Sequence, residues 1–223
     1  MYVNNEIGII QPVKEIAKLI RWYRKHAEKS LMKEVNGNTP VAYPLFHTDA
    51  IQSVNFLDIN TERLGVDLMS LSGSKIYGPK ASGAVFVRNR AAVTSMFHGG
   101  DQEMGLRAGT EDTAVIAGFA KALEIARAEA EQEVVRLEKL RDLLMKHITD
   151  VLPDIVVNGG TKNRIVNNLS VSVPGISGER LVIELDAQGI CVASKSACKE
   201  DDGEASHVIA ALRAAAMRES ESQ

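Results

Sequence analysis

The run Ser70-Leu71-Ser72-Gly73-Ser74-Lys75-Ile76-Tyr77-Gly78-Pro79-Lys80 decides how the rest of the chain reads. The residues before it, from Val66 to Leu71, are mostly apolar and alternate poorly, as in a short buried strand. Small hydroxyl residues follow, then Lys75, then a Gly-Pro break. In an α/β chain this order puts the lysine at the carboxyl end of a sheet, where open sheets bind ligands. A lysine there has two kinds of work. It holds an anion as a point charge, or it loses its proton and joins a carbonyl as a Schiff base. A solvated lysine at a strand end is the commoner case, so companions elsewhere must decide.

One companion is Phe46-His47-Thr48-Asp49-Ala50-Ile51-Gln52. Pro44 precedes this short stretch, and Asp49 falls near its end. A carboxylate at a strand's carboxyl end suits a pyridine-type cofactor such as pyridoxal phosphate (PLP). It keeps the ring nitrogen protonated, so that the ring can draw electrons from a substrate carbon. Gln52 offers a donor and an acceptor for a ring hydroxyl. Taken alone, Asp49 reads first as a helix N-cap.

Four more motifs flank these two in order. They are Val3-Asn4-Asn5-Glu6-Ile7-Gly8, His98-Gly99-Gly100-Asp101-Gln102-Glu103, Arg107-Ala108-Gly109-Thr110 and Ser196-Ala197-Cys198. The whole set, from about Val3 to about Leu212, resembles the cysteine desulfurases, PLP enzymes of the class V aminotransferase superfamily. The resemblance implies an α/β fold, the PLP-dependent transferase fold type I (aspartate-aminotransferase-like). It implies the C-terminal part of the large domain over 1–112, a connecting helix over 113–150, and the small α/β domain with the active-cysteine loop over 151–223.

The site follows from the same resemblance. Lys75 and Cys198 are the catalytic residues. Asn5, Asp49, Gln52, Ser72, Ser74, Lys75 and Thr110 hold the cofactor. Asn5 sits near the ring, and Thr110 reaches the phosphate of a partner subunit in a homodimer. Lys75 carries PLP and takes the α-proton of L-cysteine. The Cys198 thiolate attacks the substrate sulfur, leaving L-alanine and a persulfide. The acceptor implied is an iron–sulfur scaffold protein or a tRNA-thiolation protein. The chain has no metal site of its own, although Cys198 can lend one thiolate to a cluster shared with a scaffold. His47 is either a proton carrier or a structural imidazole.

Two departures qualify the resemblance. The family usually has a histidine just before the lysine, and Ser74 stands there; a serine donates a hydrogen bond to phosphate but carries no charge. The chain also reads as shortened at both ends, lacking the glycine-and-threonine phosphate loop, the ring-stacking histidine and a final arginine strand. The expectation is weak PLP binding and little turnover by the chain alone. Other outcomes are a different class V PLP enzyme such as a selenocysteine lyase, one half of a split enzyme, or a non-catalytic binding fragment.

Composition sets the outer bounds. The chain has 223 residues, 45% of them hydrophobic, enough for one large or two small domains. A net charge of -3 without a basic stripe argues against direct nucleic-acid binding. Two cysteines make no disulfide framework and point to a reduced, cytoplasmic setting. No apolar run is long enough for a membrane span.

Local patterns give the remaining elements. Met1 to Val3 reads as a strand, and Pro12 to His26 as a helix with its apolar stripe on Ile16, Leu19, Ile20 and Tyr23. Lys29 to Pro40, with Asn36-Gly37-Asn38, reads as a solvent loop. Asp58 to Gly65 is a short helical turn, and Ala84 to Arg88 a strand. Thr110 either caps the next helix or serves the phosphate, or both. That helix, Thr113 to Thr149, buries Ala114, Ile116, Ala117, Ala120, Leu123 and Ile125 and breaks or bends near Glu131. Beyond it come strands at Ile155 to Val157, Asn168 to Val173 and Ile190 to Ala193, and helices at Gly178 to Ala187 and His207 to Met217. Cys191, between Ile190 and Val192, reads as a buried small hydrophobe. Cys198 reads as exposed in a polar loop. Lys195 and Lys199 lower its pKa, while Glu200, Asp201 and Asp202 raise it.

Overall fold

Pro12 sets the entry to the first helix, Val13–His26 (α1), where a missing N–H goes unnoticed. The computed structural model describes residues 1–26, 32–33, 41–89, 93–194 and 206–221. The chain divides into two units. One comprises Met1–Val3 and Gln11–Glu133, and the other Asn4–Ile10 and Val134–Gln223.

In the first unit, Met32–Lys33 (β1) pairs antiparallel with Val41–Ala42 (β2). Part of the segment expected as a loop is therefore the start of a ladder; Asn36-Gly37-Asn38 lies outside the described residues. His47–Asp49 (β3), Leu68–Ser72 (β4) and Gly83–Val87 (β5) form a three-stranded sheet in the order β3-β4-β5. β3 runs parallel to β4, with Asp49 opposite Ser70, and β5 runs antiparallel, with Gly83 opposite Ser72. The crossover from β3 to β4 passes through a single helical turn, Thr61–Leu64 (α2). The Asn60 side chain accepts from Arg63 N, and Gly65 closes the turn in the left-handed region. No separate strand forms over Met1 to Val3; Tyr2 N donates to Asp49 O instead.

α1 does not present its expected stripe to the core. Val13 and Ala17 are buried, whereas Leu19 is 65% exposed and Tyr23 47%. Its rotation is set by Arg24, which pairs with Asp67 and donates to Pro44 O. The small Ala17 side then faces inward.

Among the described residues, Leu64, Met69, Val3, Val54 and Val66 are the large apolar side chains fully buried in this unit's core. Leu64 is a direct test of it. Leu64→Ala is expected to cost about 2–5 kcal/mol in urea unfolding; a loss below about 1 kcal/mol means the α2 turn does not anchor the core.

Thr113–Val151 (α3) is one unbroken helix of 39 residues. The helix runs through Glu131 without a break, because Ala128 to Glu133 are mostly good helix formers. Pro153 stands just past its end. Its buried face is also narrower than expected. Phe119 is buried, with Ala122, Leu123 and Ala126 packed beside it on one stripe. Ile116 and Ile125 are exposed.

The second unit holds Val156–Val157 (β6) paired antiparallel with Val171–Ser172 (β7), then Gly178–Asp186 (α4) and His207–Glu221 (α5). Ser177 caps α4 through Arg180 N. The strand expected at Ile190 to Ala193 does not form. Cys191 is accordingly exposed with a free thiol, not buried, since no ladder holds that run against a core. Among the described residues, no helix is long and apolar enough to cross a membrane.

Candidate functional site

Parallel pairing brings the carboxyl ends of β3 and β4 to the same sheet end. Asp49 is the last residue of β3, and Ser72 the last of β4. Directly after Ser72 the chain turns through a 3-10 helix, Gly73–Lys75. The turn is closed by its own backbone: Ile76 N and Gly78 N both donate to Gly73 O, and Gly73 N donates to Ser82 O. Ile76 is buried in a cluster with Val54 and Phe119. This apolar pin follows Lys75 immediately, so the lysine stem springs from a fixed point while its side chain stays exposed.

The polar groups around that point fit a phosphorylated pyridine aldehyde. Ser72 Oγ and Ser74 Oγ lie 3.0 Å apart, two hydroxyls side by side beside the lysine. Asp49 Oδ1 accepts from Ile51 N at 2.9 Å, which fixes its carboxylate at the sheet end. Among the described residues, neither Lys75 nor Asp49 has an ion-pair partner. An amine, a carboxylate and paired hydroxyls thus share one sheet end without being neutralised by neighbours. Gln52 is half-buried in the turn after β3. Asn55 Nδ2 donates to Lys75 O at 3.1 Å, while its buried Oδ1 has no partner among the described residues. Sequence reasoning missed Asn55; its place within the turns after β3 is the only available signal. Tyr2, whose N–H donates to Asp49 O at 2.6 Å, has its phenol pushed above the ordinary value by burial and by the Asp58 and Glu15 charges.

His47 Nε2 lies 2.8 Å from Ser70 Oγ across the strand pair. Thr110 is exposed after Gly109. It does not cap α3: Asp112 Oδ1 takes that place by accepting from Val115 N at 3.0 Å. Asn5 belongs to the second unit, where it lines a cavity of about 370 Å³ with Glu6, Asn168 and Ser170. Cys198, Lys195 and the acidic residues after Cys198 lie outside the described residues.

The aminotransferase class-V family matches residues 34–222. The cysteine desulfurase IscS of Dictyoglomus turgidum is 38% identical over 212 residues, 95% of this chain and 49% of that protein. The cysteine desulfurase IscS of Methanosarcina thermophila is also 38% identical, over 95% of this chain and 47% of that protein. Among solved structures, a NifS-like protein superposes with a TM-score of 0.77 at 31% identity, over 96% of this chain and 50% of that one. A structure titled SspA in complex with cysteine gives 0.68 at 29% identity, over 95% of this chain and 52% of that one. The chain therefore spans about half the length of the curated relatives it matches. Its α/β architecture is that of the matched part of the NifS-like protein.

Proposed function

The chain belongs to the aminotransferase class-V family, and from that premise we propose that it is a PLP-dependent cysteine desulfurase. The observation that carries the reading is the parallel register of β3 and β4, which sets Asp49 and the Lys75 turn at one sheet end. PLP, when bound, supplies a protonated pyridine ring that accepts electrons from the substrate's α-carbon. Lys75 Nζ holds the cofactor and, as a free amine, takes the α-proton. The Asp49 carboxylate keeps the ring nitrogen protonated. Gln52 would bond the ring hydroxyl and the Ser72 and Ser74 hydroxyls would bond phosphate; Asn5 is assigned to the cofactor by the family resemblance. The Cys198 thiolate would attack the sulfur of L-cysteine, forming an S–S bond as the substrate's C–S bond breaks; the electron pair goes to carbon, which takes up a proton, giving L-alanine and a persulfide on Cys198. Support for L-cysteine as substrate comes from the names of the matched desulfurases and from the cysteine in the SspA complex.

The sulfur then passes to an acceptor of the iron–sulfur scaffold or tRNA-thiolation class, in a reducing cytoplasmic setting where the thiol stays free. A homodimer completes the site through Thr110. The exposed apolar side chains of Met96, Phe97 and Met104, near Thr110 in sequence, support it.

A single-turnover experiment tests the desulfurase step. The chain is loaded with PLP and given L-cysteine labelled at sulfur, without reductant. Little alanine is expected from the chain alone, and what forms is expected to be matched by an equal amount of label on Cys198, with no label on Cys198→Ser. Alanine formed without label on Cys198 overturns the assignment of the cysteine, and robust repeated turnover overturns the expectation that the chain alone is nearly inactive.

A further inference from the structure

Arg164 is one of the few charged side chains inside the second unit, only 7% exposed. Its acceptors are all neutral. Nη1 donates to Ile7 O at 2.7 Å and to Asn168 Oδ1 at 3.0 Å. Nε and Nη2 donate to Gly160 O at 3.2 and 2.8 Å, and Nη2 also donates to Asn158 O. Among the described residues no carboxylate pairs with it. Burial, then the charge of Arg141, lowers its pKa, yet an arginine stays charged in a protein.

A buried cation held by carbonyls alone is a costly way to fill space. An apolar side chain of similar volume would avoid the desolvation altogether. What an apolar side chain cannot do is tie separate stretches together by directed bonds. Arg164 ties three: residue 7, residues 158–160 and residue 168. Its own backbone is held in turn, because Arg141 Nη1 on α3 donates to Arg164 O at 3.5 Å and Ile165 O at 3.3 Å.

The stretch it grips is the turn over Asn4–Ile10. The turn's internal bonds are short-range: Asn4 Oδ1 accepts from Glu6 N and Ile7 N, and Gly8 N donates to Asn4 O. Asn168 adds a second tie, since its Nδ2 donates to Glu6 O at 3.2 Å while Arg164 holds its Oδ1. Beside these, Ile165 N donates to Gly8 O and Ile10 N to Asn163 O. Residues 6 and 7, just after Asn5, are thus anchored by Arg164 directly and through Asn168.

We propose that Arg164 is a positioning residue, whose guanidinium fixes the Asn4–Ile10 turn and so the placement of Asn5. The link to Asn5 rests on the cofactor reading given above; the fixing of the turn does not.

Two measurements separate these layers. The first is amide hydrogen exchange on the purified chain and on Arg164→Gln, without cofactor. Exchange at Ile7, Gly8 and Ile10 is expected to rise about tenfold or more, with Ala50 and Gly73 of the first unit unchanged. No rise in the turn overturns the proposal. An equal rise everywhere also overturns it, since Arg164 then serves stability at large. Should Arg164→Gln fail to fold, Arg164→Lys keeps the charge but loses the fork, and the same amides decide. The second measurement is PLP affinity by visible titration in the parent, Arg164→Gln, Asn5→Ala and the double variant. Arg164→Gln is expected to weaken PLP about tenfold in the parent and to add nothing once Asn5 is gone. Additive losses overturn the link through Asn5. A parent chain that takes no PLP refutes the cofactor reading, and hydrogen exchange then decides the role of Arg164 by itself.

Discussion

Lys75→Ala abolishes the borohydride-fixed adduct between PLP and the folded chain, and leaves its stability almost unchanged. The two halves of this expectation have separate physical causes. The adduct needs a primary amine that reaches the aldehyde carbon, and an alanine methyl supplies neither nucleophile nor reach. Stability is spared because the lysine side chain is exposed and has no ion-pair partner among the described residues. The turn beneath it is held by Ile76 in the core and by the Gly73 backbone bonds. A surface substitution of this kind shifts stability by about 0.5 kcal/mol or less.

Lys75→Arg sharpens the test. It keeps the positive charge for phosphate attraction, so non-covalent binding persists, but a guanidinium stays protonated and forms no Schiff base. Mass spectrometry of the trapped, digested parent should therefore find the adduct on Lys75 and not on Lys80, which is exposed in the same loop. Equal labelling of Lys75→Ala and parent would mean that PLP meets surface lysines indiscriminately. The proposed site would then be withdrawn.

How much of this was legible in the chain depends on what kind of signal each element left. The sheet end was written plainly. Two short apolar runs, each closing on small polar residues with a charged side chain near, place Asp49 and Lys75 without any tertiary knowledge. The helix at Val13–His26 also announced its start by a proline, and that at His207–Glu221 its presence by an alanine-rich run. Faces were less legible. Periodicity in α1 marked Ile16, Leu19 and Tyr23, but the Arg24–Asp67 pair turns Val13 and Ala17 inward instead. No local pattern reveals an ion pair 43 residues apart in sequence. Ile190 to Ala193 had the composition of a strand, yet a strand needs a partner, and none pairs with it among the described residues. Cys191 inherited that error. Arg164 could not be singled out either, because a lone arginine after Asn163 looks like any solvated charge. Its four acceptor residues come from stretches up to 157 positions away.

Gly8→Ala should be among the most damaging single-methyl changes in the second unit, about 3 kcal/mol in urea unfolding. Gly8 sits at φ +69, where an L residue is strained by about 1–2 kcal/mol. A Cβ there would also stand 2.6 Å from Asn168 Oδ1 and 2.7 Å from Asn168 Cβ. Asn168 has little freedom to retreat, because Arg164 holds its Oδ1 and its own Nδ2 holds Glu6 O. Relief must come from the turn itself, so the Gly8–Ile165 backbone bond is expected to open as well. Gly160→Ala is the control. Gly160 has nearly the same backbone, φ +75, but nothing lies within 4 Å of the added methyl. It should therefore show the strain alone, about 1–2 kcal/mol. The difference between the two variants measures the collision with Asn168. If Gly8→Ala unfolds at the same urea concentration as Gly160→Ala, Asn168 is not clamped. The tie that runs from Arg164 through Asn168 would then fail at its middle link, leaving only the direct bond to Ile7 O.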